Sequence, residues 1–529
     1  MTTAPPPHAD VVVVGGGHNG LVAACLLARA GLSVVVCEAA GVLGGAARTE
    51  RPFSAAPELR QSTGAYLLGL MPPELIATLG LDLPLRRRDP HYALPAPVDS
   101  ALPSLMFGAD GGANTAALTA AFSARDAAAD AALNAELAAL REDLAPAWLA
   151  EPGSIESTAE RYVRPALRAV FTDLCHGSVL AYLDRFGFTA QRLIAMYAVT
   201  DGISGLAAGP DDAGTGHNFL AHNMGRLPGS DGTWMIVAGG MGTVSAALAD
   251  VARAAGALLL VDSPVQRITV GQAGVTGVTV NIGAGIDAAI AAPVVLAACD
   301  PFRLAGLVNL PTDLTQRLSM LYRPGVTLKL NLALDRPPVF PGLGGRPTGG
   351  ATVHLLPGED RPIDAVRVMW DDVRAGRLPE FPTIEWYLHT TVDPSLRDAA
   401  GRHSSALFVQ SVPHRPAGTD WDSAIEDYVA QLLAVCDRFA PGTSASVVDT
   451  FALPPPGIEA HFGITGGHIH HVDNTIAFDS RMPYATGIDG LYAGSAGCHP
   501  AGSVIGAAGH NCARRILRDL DLTGRSSSR

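Results

Sequence analysis

Val11 to Val14 is a short all-apolar run, the pattern of a strand buried on both faces of a parallel sheet. A glycine turn follows, then an apolar-rich stretch that predicts a helix through Ala30, with Gly31 ending it. Leu32 to Cys37 predicts a second buried strand finishing at Glu38, and the three pieces make one βαβ unit. From about Ala113 to Leu144 the chain is rich in Ala and Leu with charges at helical spacing, which predicts a helical cap. Pro146 and Pro152 break this pattern before further helices to about Ala198. Gly239 to Gly242 introduces a predicted helix, Val244 to Ala254, followed by strands near Ala257 to Val261 and Val265 to Val270, a return to the first domain.

Further along, Val326, Leu328, Leu330, Leu332 and Leu334 alternate with Thr327, Lys329, Asn331 and Ala333, a period of two. The pattern predicts a strand with one core face and one mostly polar face, which gives Lys329 and Asn331 solvated or structural roles. Thr383 to Thr391 and Ala406 to Val412 add strands rich in β-branched and aromatic residues, with Trp386 and Tyr387 as core or cavity wall. Leu491 to Ala493 reads as a strand, Gly502 to Leu517 as a helix, and the chain after Leu522 as a frayed tail.

A chain of 529 residues exceeds what one core supports. The expected fold is α/β: a Rossmann-type dinucleotide domain from residues 8–100, 206–300 and 461–522, interleaved with a helical cap, 101–205, and a mixed-sheet substrate domain, 301–460. Residues 523–529 are the tail, and the active site is expected where the domains meet. A composition 48% hydrophobic and 16% charged is globular, while the net charge of −13 and the lack of a Lys/Arg stripe argue against nucleic acid as a partner. Seven scattered cysteines without a CxxC pair fit a reducing, cytoplasmic compartment. The first ten residues lack a basic start and an apolar run, and no apolar stretch reaches eighteen residues, so neither an export signal nor a transmembrane helix is expected. Peripheral membrane contact stays open, since it needs only an exposed apolar surface.

The chemistry concentrates at Gly15-Gly16-Gly17-His18-Asn19-Gly20, a GxGxxG with a strand before it and a helix after it. Gly15 permits the tight turn, Gly17 lets the backbone approach a pyrophosphate, Gly20 allows close helix packing, and the helix N-terminus contributes partial positive charge. Glu38 then accepts hydrogen bonds from ribose hydroxyls, and with no Arg or Lys beside it a 2′-phosphate is disfavoured, which argues against NADP. His468, His470 and His471 with Asp473 could ligate a metal, but no Cys joins them and no metal site is expected; a hydrogen-bonded or surface His is the simpler reading.

After Glu38 and Ala39 comes a second glycine doublet in Gly41-Val42-Leu43-Gly44-Gly45-Ala46-Ala47-Arg48-Thr49, and the chain closes on the Gly-rich segment Gly490 to Gly509. With these segments the sequence resembles the FAD flavoproteins of the amine oxidase and phytoene desaturase superfamily, most closely the phytoene desaturase-like branch. The supporting stretches are Gly15 to Ala24, Ala238 to Gly242, Lys329 to Leu332, Gly466 to His471 and Gly494 to Gly506. The resemblance implies FAD as cofactor, with His18, Asn19, Ala39, Gly44, Gly45 and Ala46 along it and Arg48 pairing with pyrophosphate. It also implies that Val265 holds the adenine through backbone groups, and that Asp489 and Gly494 line the pyrophosphate and ribityl path. Ser495, Gly502, Ser503 and Val504 would then lie along the flavin, with His499 and His471 as catalytic candidates polarising substrate. Cys498 is expected as a small buried residue rather than a flavin thioether.

The reaction so implied is hydride removal from a C–H of an apolar or partly apolar small molecule to flavin N5, giving a C=C or C=N bond. With one dinucleotide fingerprint in view, reoxidation falls to oxygen, a quinone or a partner protein. Three alternatives remain open: a double-bond reductase or isomerase running the same flavin in reverse, an amine oxidase, and a non-enzymatic flavin-bound interaction protein. An amine oxidase is expected to carry aromatics in the closing segment, and Ser495 to Gly509 has none.

Overall fold

The computed structural model describes residues 5–283 and 285–522. Five parallel strands form one sheet in the order Leu491–Ala493, Val294–Ala297, Val11–Val14, Val34–Cys37, Leu258–Leu260. The four valines of Val11–Val14 are all buried at its centre, which requires helices on the faces of the sheet. The helix His18–Arg29 packs against both Gly242–Ala254 and Ala507–Leu522. An antiparallel three-stranded sheet, Val265–Gly271, Gly274–Asn281 and Asp287–Ala291, is attached where the chain returns.

A second sheet has seven strands, in the order Val447–Leu453, Leu328–Leu334, His403–Val409, Ile384–Tyr387, Thr352–Leu355, Tyr92–Leu94, Leu105–Phe107. It is mixed: Thr352–Leu355 pairs in parallel with Tyr92–Leu94, and the other pairs are antiparallel. Tyr92–Leu94 falls inside the 8–100 range assigned by sequence to the dinucleotide domain, yet it pairs in this sheet.

The alternating strand differs from expectation in a consequential way. Leu328, Leu330, Leu332 and Leu334 do pack on one face, against the helix Trp421–Asp437. The opposite face is buried as well: Ala333 meets Phe53, Ala56 and Leu59, Gln61 Nε2 donates to Asn331 Oδ1 at 2.9 Å, and Lys329 is 3% exposed. A polar face normally goes to water; here residues 53–66 cover it.

The cap region is helical, from Gly111–Ala121 and Ala124–Trp148 through Thr215–His222, around its own apolar cluster. Its break falls at Phe122, because the Ser123 hydroxyl accepts from Asp126 N at 3.0 Å and starts a new helix. Pro146 does not break that helix, which ends at Trp148; so near the end, the proline removes a single N–H of little consequence. The closing helix starts at Ala507 rather than Gly502, because Asn474 holds Gly502 in a loop, accepting from its N–H at 2.9 Å and donating to its carbonyl at 3.2 Å. The tail, 523–529, lies outside the described residues. Among the described residues, no helix is long and apolar enough to cross a membrane.

Candidate functional site

One cavity of about 920 Å³ runs from the carboxyl ends of the parallel strands to the inner face of the seven-stranded sheet. Parallel sheets receive ligands at that edge, where the strand order reverses on either side of Val11–Val14. The volume sits toward the upper end of the ~300–1,000 Å³ range of small-molecule pockets.

At the dinucleotide end, Gly15 turns the chain at φ +105°, and a Cβ on Gly20 would lie 2.1 Å from the Gly15 carbonyl oxygen, so helix and turn touch only because Gly20 has no side chain. A Cβ on Gly17 would meet nothing within 4 Å. That side of the turn is open, and the helix it starts has no side-chain cap, so its first N–H groups are left for an anion. The Glu38 carboxylate is held by Gly16 N at 2.7 Å and Ala40 N at 2.8 Å. His18, Asn19, Ala39, Gly44, Gly45, Ala46, Val265, Ser503 and Val504 line the same cavity. His18 Nε2 and His471 Nδ1, both in its wall, have no hydrogen-bond partner among the described residues. Burial, and after it the neighbouring His471, brings the pKa of His18 down to about 4. Unpaired ring nitrogens, uncapped amides and an open face at Gly17 are what a pyrophosphate would complete, so these residues fit a dinucleotide. Arg48 lines the cavity too, but is already engaged: Nη2 donates to His461 O at 2.8 Å, Nε lies 3.3 Å from Glu50 Oε1, and the guanidinium covers Phe462.

Other expected residues sit elsewhere. Gly494 packs against Cys512, whose Cβ would lie 3.0 Å from an added Cβ; Ser495 Oγ accepts from Gly497 N at 3.1 Å; Gly502 abuts His470. None of the three is in the cavity wall, nor is Asp489, whose carbonyl accepts from Val275 N. His499 faces away from the cavity: its Nε2 bonds to Ala147 O at 3.0 Å beneath the cap helix Ala124–Trp148, and burial lowers its pKa to about 4. The closing loop has two sides, with Ala496, Ser503 and Val504 toward the cavity and His499 toward the cap, a choice that motif position does not reveal. Cys498 is a buried thiol whose Sγ donates to Ala493 O at 3.5 Å. His468 pairs with Asp473 at 3.0 Å and His470 bridges the Gly502 and Ser204 carbonyls, so protein partners take their ring nitrogens.

The sheet end of the cavity is a buried polar chamber. Among the described residues, Lys329 Nζ has no hydrogen-bond partner; it sits 3.4 Å from the centroid of the Tyr66 ring. Burial drives its pKa well below 10.5. Glu385 accepts from Tyr387 Oη and, at 2.8 Å, from Gln410 Nε2, while burial raises its pKa to about 8. Arg88, 1% exposed, also lines the chamber. Thr200 and Asp201 enter it from a π turn, Ala198–Gly202, closed by Ile203 N donating to Ala198 O at 2.9 Å.

Residues 13–73 match the model of a NAD(P)-binding Rossmann-like domain. The chain is 32% identical over 562 residues to pyridine nucleotide-disulfide oxidoreductase domain-containing protein 2 of Mus musculus, spanning 97% of this chain and 94% of the mouse protein. The chain belongs to that family. Among solved structures, an oxidoreductase from Methanosarcina mazei superposes with a TM-score of 0.62 at 17% identity, over 96% of this chain and 99% of that one. Putrescine oxidase bound to putrescine gives 0.58 at 18% identity, over 98% and 100%. At such identities the likeness is one of fold, a parallel Rossmann sheet joined to a mixed substrate-domain sheet.

In this member of the pyridine nucleotide-disulfide oxidoreductase domain-containing protein 2 family, the chamber sets Lys329, Arg88, Asp201 and Glu385 into a cavity with a largely apolar lining. Sequence reasoning also missed Tyr66, Arg88, Asp201 and Glu385. Glu385 had a usable signal, a carboxylate inside the apolar strand Ile384–Tyr387. Arg88 closes a run of three arginines that reads locally as a solvated turn.

Proposed function

We propose that this protein is an FAD-dependent oxidoreductase that takes a hydride from a C–H bond of a small molecule and leaves a C=C or C=N bond. The observation that carries the reading is the single cavity joining the glycine turn to a chamber with an unpartnered buried amine. FAD, when bound, would supply the hydride acceptor and carry the electron pair onward to oxygen, a quinone or a protein.

The chain's own residues bind, orient and handle the proton. Glu38 would accept from ribose hydroxyls, while the first-turn amides after Gly17, with His18 and His471, would meet the pyrophosphate. Tyr66 and Tyr387, with ring centroids 4.2 Å apart, form a wall that keeps water from the reacting carbon. Loss of hydride makes the neighbouring C–H or N–H acidic; Lys329, a cavity-lining amine whose pKa burial lowers, would take that proton.

Amine oxidation has one observation in its favour: aromatics absent from the closing segment are present in the chamber as Tyr66, Tyr387, Phe408 and Trp234. Purified protein tests the reading directly. It should be yellow, release FAD on denaturation, and bleach anaerobically with an oxidisable compound from a panel of alkanes and amines. Colourless protein that ignores added FAD refutes it; protein bleached by NADPH and restored by alkenes points instead to the reductase direction.

A further inference from the structure

We propose that Arg88 is an anion anchor in the chamber, and that the molecule handled there carries a carboxylate. This rests on the chamber being the place of reaction, as argued above.

Arg88 is buried at 1% exposure yet makes three hydrogen bonds, all to neutral acceptors: Nε to Trp234 O at 2.7 Å, Nη1 to Thr352 Oγ1 at 2.7 Å and Nη1 to His91 O at 3.1 Å. These bonds fix the guanidinium plane. Among the described residues, Nη2 makes no hydrogen bond and no Asp or Glu forms an ion pair with Arg88, although such pairs join many other arginines of the chain. Buried charges are otherwise paired, and a guanidinium cannot shed its proton to escape the cost.

Two carboxyl groups line the same chamber, and among the described residues neither forms an ion pair with Arg88. Asp201 Oδ1 lies 3.6 Å from His222 Nδ1. Glu385 takes its bonds from Tyr387 and Gln410, and with a pKa raised to about 8 by burial it is a neutral acid near pH 7. Burial lowers the pKa of Lys329, whereas Arg88 keeps its charge because a guanidinium does not lose its proton. The planar fork of Arg88 matches the two oxygens of a carboxylate. The Tyr92 ring lies 5.8 Å from the Arg88 guanidinium carbon as a cation–π neighbour.

Calorimetric titration of the cofactor-bound protein with hexanoate, hexanamide and hexylamine tests this without reference to catalysis. Hexanoate should bind at least about tenfold more tightly than the other two, since a hydrogen bond to a charged partner exceeds a neutral one by about that factor. Arg88→Gln should abolish the preference. Arg88→Lys, which keeps the charge but not the planar fork, should reduce it. Hexanoate binding no more tightly than hexanamide overturns the proposal, as does a preference that persists in Arg88→Gln. Should Arg88→Gln fail to fold, the wild-type ranking and Arg88→Lys decide: an unchanged preference in Arg88→Lys overturns it. Hexanoate bound through Arg88 in a protein that carries no FAD would sink the oxidoreductase reading alone.

Discussion

Replacing Glu385 with Gln tests how strongly the chamber resists charge. Burial raises the Glu385 pKa from its ordinary 4.5 to about 8, so between those values the folded protein keeps a proton that the unfolded chain has lost. The folded state therefore binds more protons, and the stability contributed by the neutral acid, complete below about pH 4.5, drains away as pH rises toward 8. The slope is about 1.4 kcal/mol per pH unit, about 5 kcal/mol across the window. Lys329 works with the opposite sign: its depressed pKa makes the folded state release a proton early, so its contribution grows with pH up to its ordinary 10.5. Comparing wild type with Glu385→Gln isolates the carboxyl, because Gln keeps its size and can still accept from Tyr387. Urea unfolding followed by tryptophan fluorescence, with Trp386 in the same strand as a reporter, should show the two proteins nearly equal near pH 5. By about pH 8 the variant should be the more stable by several kcal/mol. Parallel stability curves across that range would refute the claim that Glu385 is held neutral by burial.

Glu38→Ala removes both the acceptor for ribose and the anchor of Gly16 N and Ala40 N, so FAD affinity should fall by about 10- to 100-fold, read by flavin fluorescence. Unchanged affinity removes Glu38 from the cofactor site. Gly20→Ala forces a methyl within 2.1 Å of the Gly15 carbonyl, and a loss of about 3 kcal/mol with poor FAD retention should follow in a thermal melt. A variant as stable as wild type contradicts the contact. His499→Ala breaks the bond to Ala147 O and should cost about 1–2 kcal/mol of stability while leaving the rate of flavin reduction unchanged. A rate falling by orders of magnitude would return His499 to the reacting centre.

What the sequence determined by itself is local and periodic. Val11–Val14, the glycine turn, the helix His18–Arg29 and Val34–Cys37 are legible because the constraints on each, β-branched burial, φ above zero, close helix approach, act between residues near in the chain. The Leu328–Leu334 strand was legible for the same reason. Only the tertiary structure decided what lay across from it. Lys329 reads as a solvated side chain until residues 53–66 cover that face, and Glu385 and Arg88 become chamber groups only when Ile384–Tyr387 and Tyr92–Leu94 enter one sheet from distant parts of the chain. Side choice in the closing loop is equally non-local, which is why Ser503 reached the cavity and His499 did not. Burial is a property of what packs against a residue, and both the charge state and the chemistry of these groups follow from burial.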